Sequence, residues 1–169
     1  MGLRLILARH AKSSWGDPLL EDIDRDLNTR GTNDAILIGQ WLATNGYCPD
    51  EALVSAACRT QQTWSSIKTT TTLDTTKVAI HDGLYLASSD QILHHIRQAT
   101  GNTVLVIAHN PGIGDFATRF AKVATTHSDF ARYPTCATTV FDVKASSWSD
   151  VKFGENPILN FCVPRELRP

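Results

Sequence analysis

The sequence predicts an α/β protein on a mainly parallel sheet, and three observations carry that prediction. Two short runs, Leu3–Ala8 and Thr103–Ala108, are almost wholly apolar, as strands covered on both faces must be. Apolar residues at helical spacing lie between and behind them, and the last third of the chain changes to strand-like segments. The length of 169 residues suits one domain, 1–169, with a sizeable core.

The elements follow in order. Leu3–Ala8 is the first strand. From about Thr29, Ala35, Ile38, Gly39 and Leu42 fall at i, i+3, i+4 and i+7, and this helix ends near Asn45-Gly46. Ala52–Ser55 forms a second short strand, a helix starts near Arg59, and Val78–Ile80 is a third strand. The Thr-rich stretch Thr69–Thr76 reads as a helix end with its exit loop. Ser88 and Gln91 form a capping box ahead of Ile92, Leu93 and Ile96, and that helix closes at Gly101. Thr103–Ala108 is the fourth strand. Behind it, Ile113, Phe116, Ala117, Phe120, Ala121 and Ala124 mark the clearest amphipathic helix. Cys136–Val143 and Ile158–Val163 complete the set as edge strands, with Gly154–Pro157 as a turn. The stretch Lys12–Asn28 has no sustained period, and a loop this long in a compact domain is often a functional lid.

Composition narrows the function. Sixteen basic against seventeen acidic residues give a formal charge of −1, which lacks the basic footprint of a nucleic-acid binder. No apolar run approaches the length of a bilayer span, so no membrane association is expected. The N-terminus lacks the pattern of a signal peptide, and Ile6 breaks a myristoylation motif at Gly2. Cys48, Cys58, Cys136 and Cys162 form no CxxC pair and read as thiols in a reducing cytoplasm.

Open parallel sheets bind ligands beyond the carboxyl ends of their strands. Arg9-His10 follows the first strand, Ser55-Ala56-Ala57-Cys58-Arg59-Thr60 the second, and His109-Asn110-Pro111-Gly112 the fourth. Two histidines and two arginines are thus expected at one rim. A neutral imidazole is a nucleophile near pH 7, and two guanidiniums can grip a phosphoryl group through forked hydrogen bonds. The second histidine can donate to a phosphoryl oxygen, and the helix opened by Gly112 and Gly114 adds favourable potential for an anion. Arg9, His10, Arg59 and His109 are therefore the candidate catalytic and phosphate-binding residues. An Arg-His pair alone carries little, and a lone histidine after a strand is more often structural. The conjunction at three strand ends is what points to phosphoryl chemistry.

Other readings have less behind them. His10 and His109 as zinc ligands lack a third ligand at supporting spacing, so no metal and no cofactor are expected. His94 and His95 are adjacent and point to different sides of a helix. Neither a Gly-x-Ser-x-Gly elbow nor a Gly-rich Lys-Ser/Thr loop occurs.

At these residues the chain resembles a known family. Leu7-Ala8-Arg9-His10-Ala11-Lys12-Ser13-Ser14-Trp15 resembles the opening motif of the histidine phosphatase superfamily, of phosphoglycerate mutase-like fold. More narrowly it resembles the short SixA-type phosphohistidine phosphatase branch. Asp24-x-x-Leu27-x-x-Arg30-Gly31 matches that family's lead into its first helix. Ser55–Thr63 resembles its second arginine motif, and Val106–Pro111 its second histidine motif.

The resemblance implies a three-layer α/β/α sandwich and a metal-independent phosphatase. His10 would be phosphorylated and then hydrolysed, in a pocket of Arg9, Arg59 and His109. Many larger relatives carry a glutamate general acid where this chain has His81-Asp82-Gly83-Leu84-Tyr85, and Asp82 is only an approximate stand-in. A missing strong acid favours a good leaving group such as the imidazole of phosphohistidine over an alkoxide. The implied partner is a phosphohistidine-bearing protein or a small phosphorylated substrate. A broad phosphomonoesterase and a non-catalytic phosphate-binding module are the alternatives.

Overall fold

The computed structural model describes residues 2–70 and 75–169. Six strands form one sheet in the order β3-β2-β4-β1-β5-β6. They are β1 (Leu3–Arg9), β2 (Glu51–Ser55), β3 (Lys77–His81), β4 (Thr103–Ala108), β5 (Thr138–Val143) and β6 (Ile158–Cys162). The four strands from β3 to β1 are parallel, while β5 and β6 run antiparallel at one edge.

The pleat divides the central residues between two cores. Leu5, Leu7, Val104 and Val106 face one side, where α3 (Ser89–Ile96) and α4 (Gly112–Phe120) supply Ile92, Ile96, Phe116 and Phe120. Ile6, Ala8, Leu105 and Ile107 face the other, against α1 (Thr29–Thr44) and α2 (Cys58–Lys68) through Ile38, Leu42, Trp64 and Ile67. The result is three layers, with strands apolar on both faces because both faces are covered.

The helix starts follow local chemistry. Asn28 Oδ1 accepts from Gly31 N at 2.8 Å to cap α1, and the Ser88–Gln91 capping box opens α3. Gly31 and Gly112 are required by close approach. A Cβ on Gly31 would lie 2.1 Å from the Lys12 carbonyl oxygen, and one on Gly112 1.7 Å from that of Ala87. Both contacts brace segments that border the strand ends.

Several boundaries differ from the sequence expectation. The helix behind β4 stops at Phe120 rather than Ala124, because Asn156 takes over the chain there. Its side chain donates to the Phe120 carbonyl at 3.2 Å and its own carbonyl accepts from Lys122 N at 2.9 Å. Ala124 is exposed. Helix α3 ends at Ile96, and Arg97–Asn102 forms turns on which Glu51 and Asp50 accept backbone N–H groups. The stretch 12–28 contains a single 3-10 turn, Asp22–Asp24, and a bridge between Ser13 and Leu27. Part of the Thr69–Thr76 expectation, residues 71–74, lies outside the described residues.

Candidate active site

Strand register brings the two histidines together. β1 and β4 pair with Arg9 opposite Ala108, so His10 and His109 leave the sheet side by side. Their ring centroids are 5.2 Å apart. β2 pairs with β4 with Val54 opposite Ile107, which brings Ser55 level with Ala108, one residue before His109, and Ser55 Oγ lies 2.7 Å from His109 Nε2. Arg59, in the first turn of α2, places Nη2 3.3 Å from His109 Nδ1. Arg9, His10, Arg59 and His109 therefore meet at one rim.

Hydrogen-bond partners fix both tautomers. The Ala11 carbonyl 2.7 Å from His10 Nδ1 can only accept, so that nitrogen carries the hydrogen and Nε2 keeps its lone pair. A guanidinium can only donate, so His109 Nδ1 accepts from Arg59 and His109 Nε2–H donates to Ser55 Oγ. The ring hydrogen of His109 is thus directed at Ser55. Burial pushes the His10 imidazole down to about 4, against the Ala11 carbonyl and helped by the charges of Arg59, Arg9 and Arg25. Burial, then His10 and Arg59, pushes His109 down to about 3. Both rings are neutral at pH 7.

The arginines are held but not saturated. Arg9 Nη1 donates to the Tyr133 carbonyl at 3.2 Å. Burial and the nearby Arg59 charge lower the Arg9 pKa. The Nε of Arg9 and the Nε of Arg59 are both buried without a hydrogen-bond partner among the described residues. Two orphaned cationic donors in one pocket are costly unless an anion answers them, so the site is built for one.

Among the described residues, one carboxylate also reaches this pocket. Asp22 Oδ2 accepts from Tyr85 Oη at 2.5 Å and from Arg59 Nη2 at 3.0 Å, while Oδ1 accepts from Arg25 Nε and Nη2 at 3.1 and 2.8 Å. The Tyr85 hydroxyl, followed by Arg25 and Arg59, holds this carboxyl well below the usual range. Arg25 in turn stacks 3.7 Å over the Trp15 ring and donates to Ser13 Oγ at 2.9 Å. The segment 12–28 thereby forms one wall of a cavity of about 360 Å3 shared with the histidines and arginines.

Asp82 is a correction. It is exposed and does not line this cavity, because it opens a separate 3-10 turn, Asp82–Leu84, after β3, so the structure places it apart from the other site residues. Sequence reasoning assigned no role to Ser55, Asp22, Arg25 or Tyr85. Ser55 carried a usable signal, as the last residue of a strand beside β4. The signal for Asp22 was weaker: an acid two residues before the Asp24 motif in a loop without period. Among the described residues, no group of three or more His, Cys, Asp or Glu is placed to hold a metal ion.

Comparison with known proteins identifies the family and the fold. The family model of the histidine phosphatase superfamily (branch 1) matches residues 5–85. An uncharacterised protein of Mycobacterium tuberculosis is 33% identical over 164 residues, covering 93% of this chain and 99% of the relative. Among solved structures, a putative phosphohistidine phosphatase SixA from Nakamurella multipartitia superposes with a TM-score of 0.81 at 23% identity, over 97% of each chain. A second, from Agrobacterium tumefaciens, gives 0.77 at 26% identity, over 97% of this chain and 99% of the other. With the motifs in order, the sheet assembled and a full-length relative at this identity, the chain belongs to the histidine phosphatase superfamily, branch 1, and has the overall fold of its SixA-type members.

Proposed function

We propose that this protein is a phosphatase that works through a phospho-His10 intermediate and takes its phosphoryl group from protein phosphohistidine. The observation that carries the reading is the His10 tautomer: Nδ1–H held by the Ala11 carbonyl at 2.7 Å leaves a neutral ring with its Nε2 lone pair available. In the first step Nε2 forms a bond to phosphorus while the bond to the leaving nitrogen breaks, and the departing imidazole takes its proton from solvent. In the second, water attacks phospho-His10, inorganic phosphate leaves, and the His10 lone pair is restored. Arg9 and Arg59 carry the charge on the equatorial oxygens, and their unpartnered Nε–H groups are the donors suited to it. His109 holds Arg59 in place through Nδ1.

Two features support a phosphohistidine over an alkyl phosphate. Asp22, which lines the cavity, is held as a carboxylate and has no proton to give an alkoxide. The rim also carries exposed apolar side chains, with Trp15 at 73% and Leu86 at 57% exposure, and Leu86 adopts a left-handed φ of 50°. An exposed apolar rim suits a macromolecular partner more than a small metabolite. The names of the SixA-type neighbours agree with this choice. Four free thiols suit a reducing compartment, which supports a cytoplasmic setting. No helix among the described residues is long and apolar enough to cross a membrane.

The test is to trap the intermediate. The enzyme is mixed with phosphoramidate or a phosphohistidine peptide, quenched in alkali to preserve the P–N bond, and mapped by mass spectrometry. Phosphate on His10, lost together with turnover in His10→Ala, is the expected result. Turnover by His10→Ala at the native rate would overturn the assignment.

A further inference from the structure

Beside the catalytic cavity lies a second groove, of about 160 Å3, whose lining is dominated by Arg30, Arg132, Arg165 and Arg168. Two carboxylates, Asp34 and Asp129, sit at its floor, with side chains only 3% and 7% exposed. Each is shared by two arginines. Arg168 grips both oxygens of Asp34 at 2.6–3.0 Å, and Arg30 Nε stands 3.6 Å from Asp34 Oδ2. Arg132 Nη2 donates to Asp129 Oδ1 at 2.8 Å. Arg165 Nη2 lies 2.7 Å from Oδ2 at an angle that makes an ion pair and no hydrogen bond. Among the lining residues, four guanidiniums over two carboxylates give a surplus of two positive charges, on a chain whose total is −1.

The groove is joined rigidly to the active site. Thr135 lines both cavities. Asn110, in the catalytic cavity, donates through Nδ2 to the carbonyls of Arg132 and Tyr133 at 3.2 and 3.0 Å. Arg9 donates to that same Tyr133 carbonyl, and Cys136 N donates to the His10 carbonyl at 3.1 Å. The strip 132–136 is therefore stitched to the two residues that begin the catalytic motif. The segment after β1 exposes Asp17, Glu21, Asp24 and Asp26.

We infer that the arginine groove is the docking surface for an acidic stretch of the phosphohistidine-bearing protein, and that it orients that partner across the mouth. The inference rests on the function proposed above and adds where its substrate binds. The Arg132 and Arg165 side chains, 74% and 57% exposed, remain open to solvent beside their buried carboxylate. Charge placed this way acts on encounter and register.

The experiment compares two synthetic phosphohistidine peptides, one flanked by glutamates and one by glutamines, with phosphoramidate as a small donor. Wild-type enzyme is expected to favour the glutamate peptide by about tenfold in kcat/KM at low ionic strength, with the preference fading as salt rises. Arg132→Glu/Arg165→Glu is expected to abolish or invert that preference while turnover of phosphoramidate is kept. If the double variant loses phosphoramidate turnover through misfolding, Arg132→Gln, at the more exposed of the two positions, must still reduce the preference. Equal rates on the two peptides in wild type, or a preference unchanged in the variants, overturns the docking surface and leaves the proposed function standing. Failure of wild type to hydrolyse either peptide while it turns over phosphoramidate overturns both.

Discussion

Asp22 is the counter-ion of Arg59. Arg59 Nη2 donates to Asp22 Oδ2 at 3.0 Å and Nη1 to the Asp22 backbone carbonyl at 2.6 Å, so one residue of the 12–28 segment engages both terminal nitrogens of the guanidinium proposed to grip phosphate. A carboxylate in that position competes with an incoming phosphoryl group for the same charge.

Asp22→Asn keeps the shape and removes the charge. We expect inorganic phosphate to inhibit this variant competitively with a constant about three to ten times lower than in wild type, a modest gain because the Asp22 side chain is half exposed. Inhibition assays at fixed ionic strength measure this. Weaker phosphate binding in the variant would mean that Asp22 acts by positioning Arg59 rather than by competing for it.

The low pKa values of His10 and His109 give the pH dependence a definite sign. Unfolded histidines titrate near 6.5, whereas burial holds these two at about 4 and about 3 in the folded protein. Above pH 6.5 both states are neutral and stability is unaffected. As pH falls from 6.5 towards 4 and 3, the unfolded chain takes up protons that the folded one refuses, and stability drops over that window. The acid limb of kcat/KM should lie near 4. It can be followed with a chromogenic aryl phosphate, whose leaving group needs no proton, alongside Tm at each pH. A limb centred at 6.5 with a flat Tm would contradict the buried neutral pair.

Ser55→Ala removes the acceptor that fixes the His109 ring. His109 Nε2–H then stays buried without a partner, and the ring is free to turn away from Arg59. The expected result is a fall in kcat of about tenfold with KM changed little, and a stability loss of about 1–2 kcal/mol. Steady-state kinetics and denaturant unfolding separate the two effects, and an unchanged kcat would show that His109 needs no orientation.

Asn156 offers a contrast far from the chemistry. Only 1% exposed, it donates to the carbonyls of Phe120 and Lys152 and accepts from Lys144 N, tying the end of α4 to the connection between β5 and β6. Asn156→Ala leaves these buried groups unpaired, which costs about 3 kcal/mol, or roughly 6–12 °C in Tm. The enzyme that remains folded should keep its kcat/KM. Calorimetry and assays below the new Tm check both halves.

The sequence by itself determined the sheet's central strands, the helices between them and the four residues at the rim. It could do so because these depend on local signals: doubly buried strands read as continuous apolar runs, and a parallel strand delivers the residue after it to a predictable edge. Even the proximity of His10 to His109 follows once β1 and β4 are adjacent. Strand adjacency itself, and the end of α4 at Phe120, depend on partners distant in sequence, Asn156 among them. The same holds for the acid of the site. Asp22 lies 37 residues from Arg59 and 63 from Tyr85, in a segment whose path is set by contacts with other elements rather than by any period of its own. Only the tertiary structure could put Asp22 in the pocket and leave Asp82 outside it, because ion pairing acts through space and the spacing of residues along the chain carries no record of it.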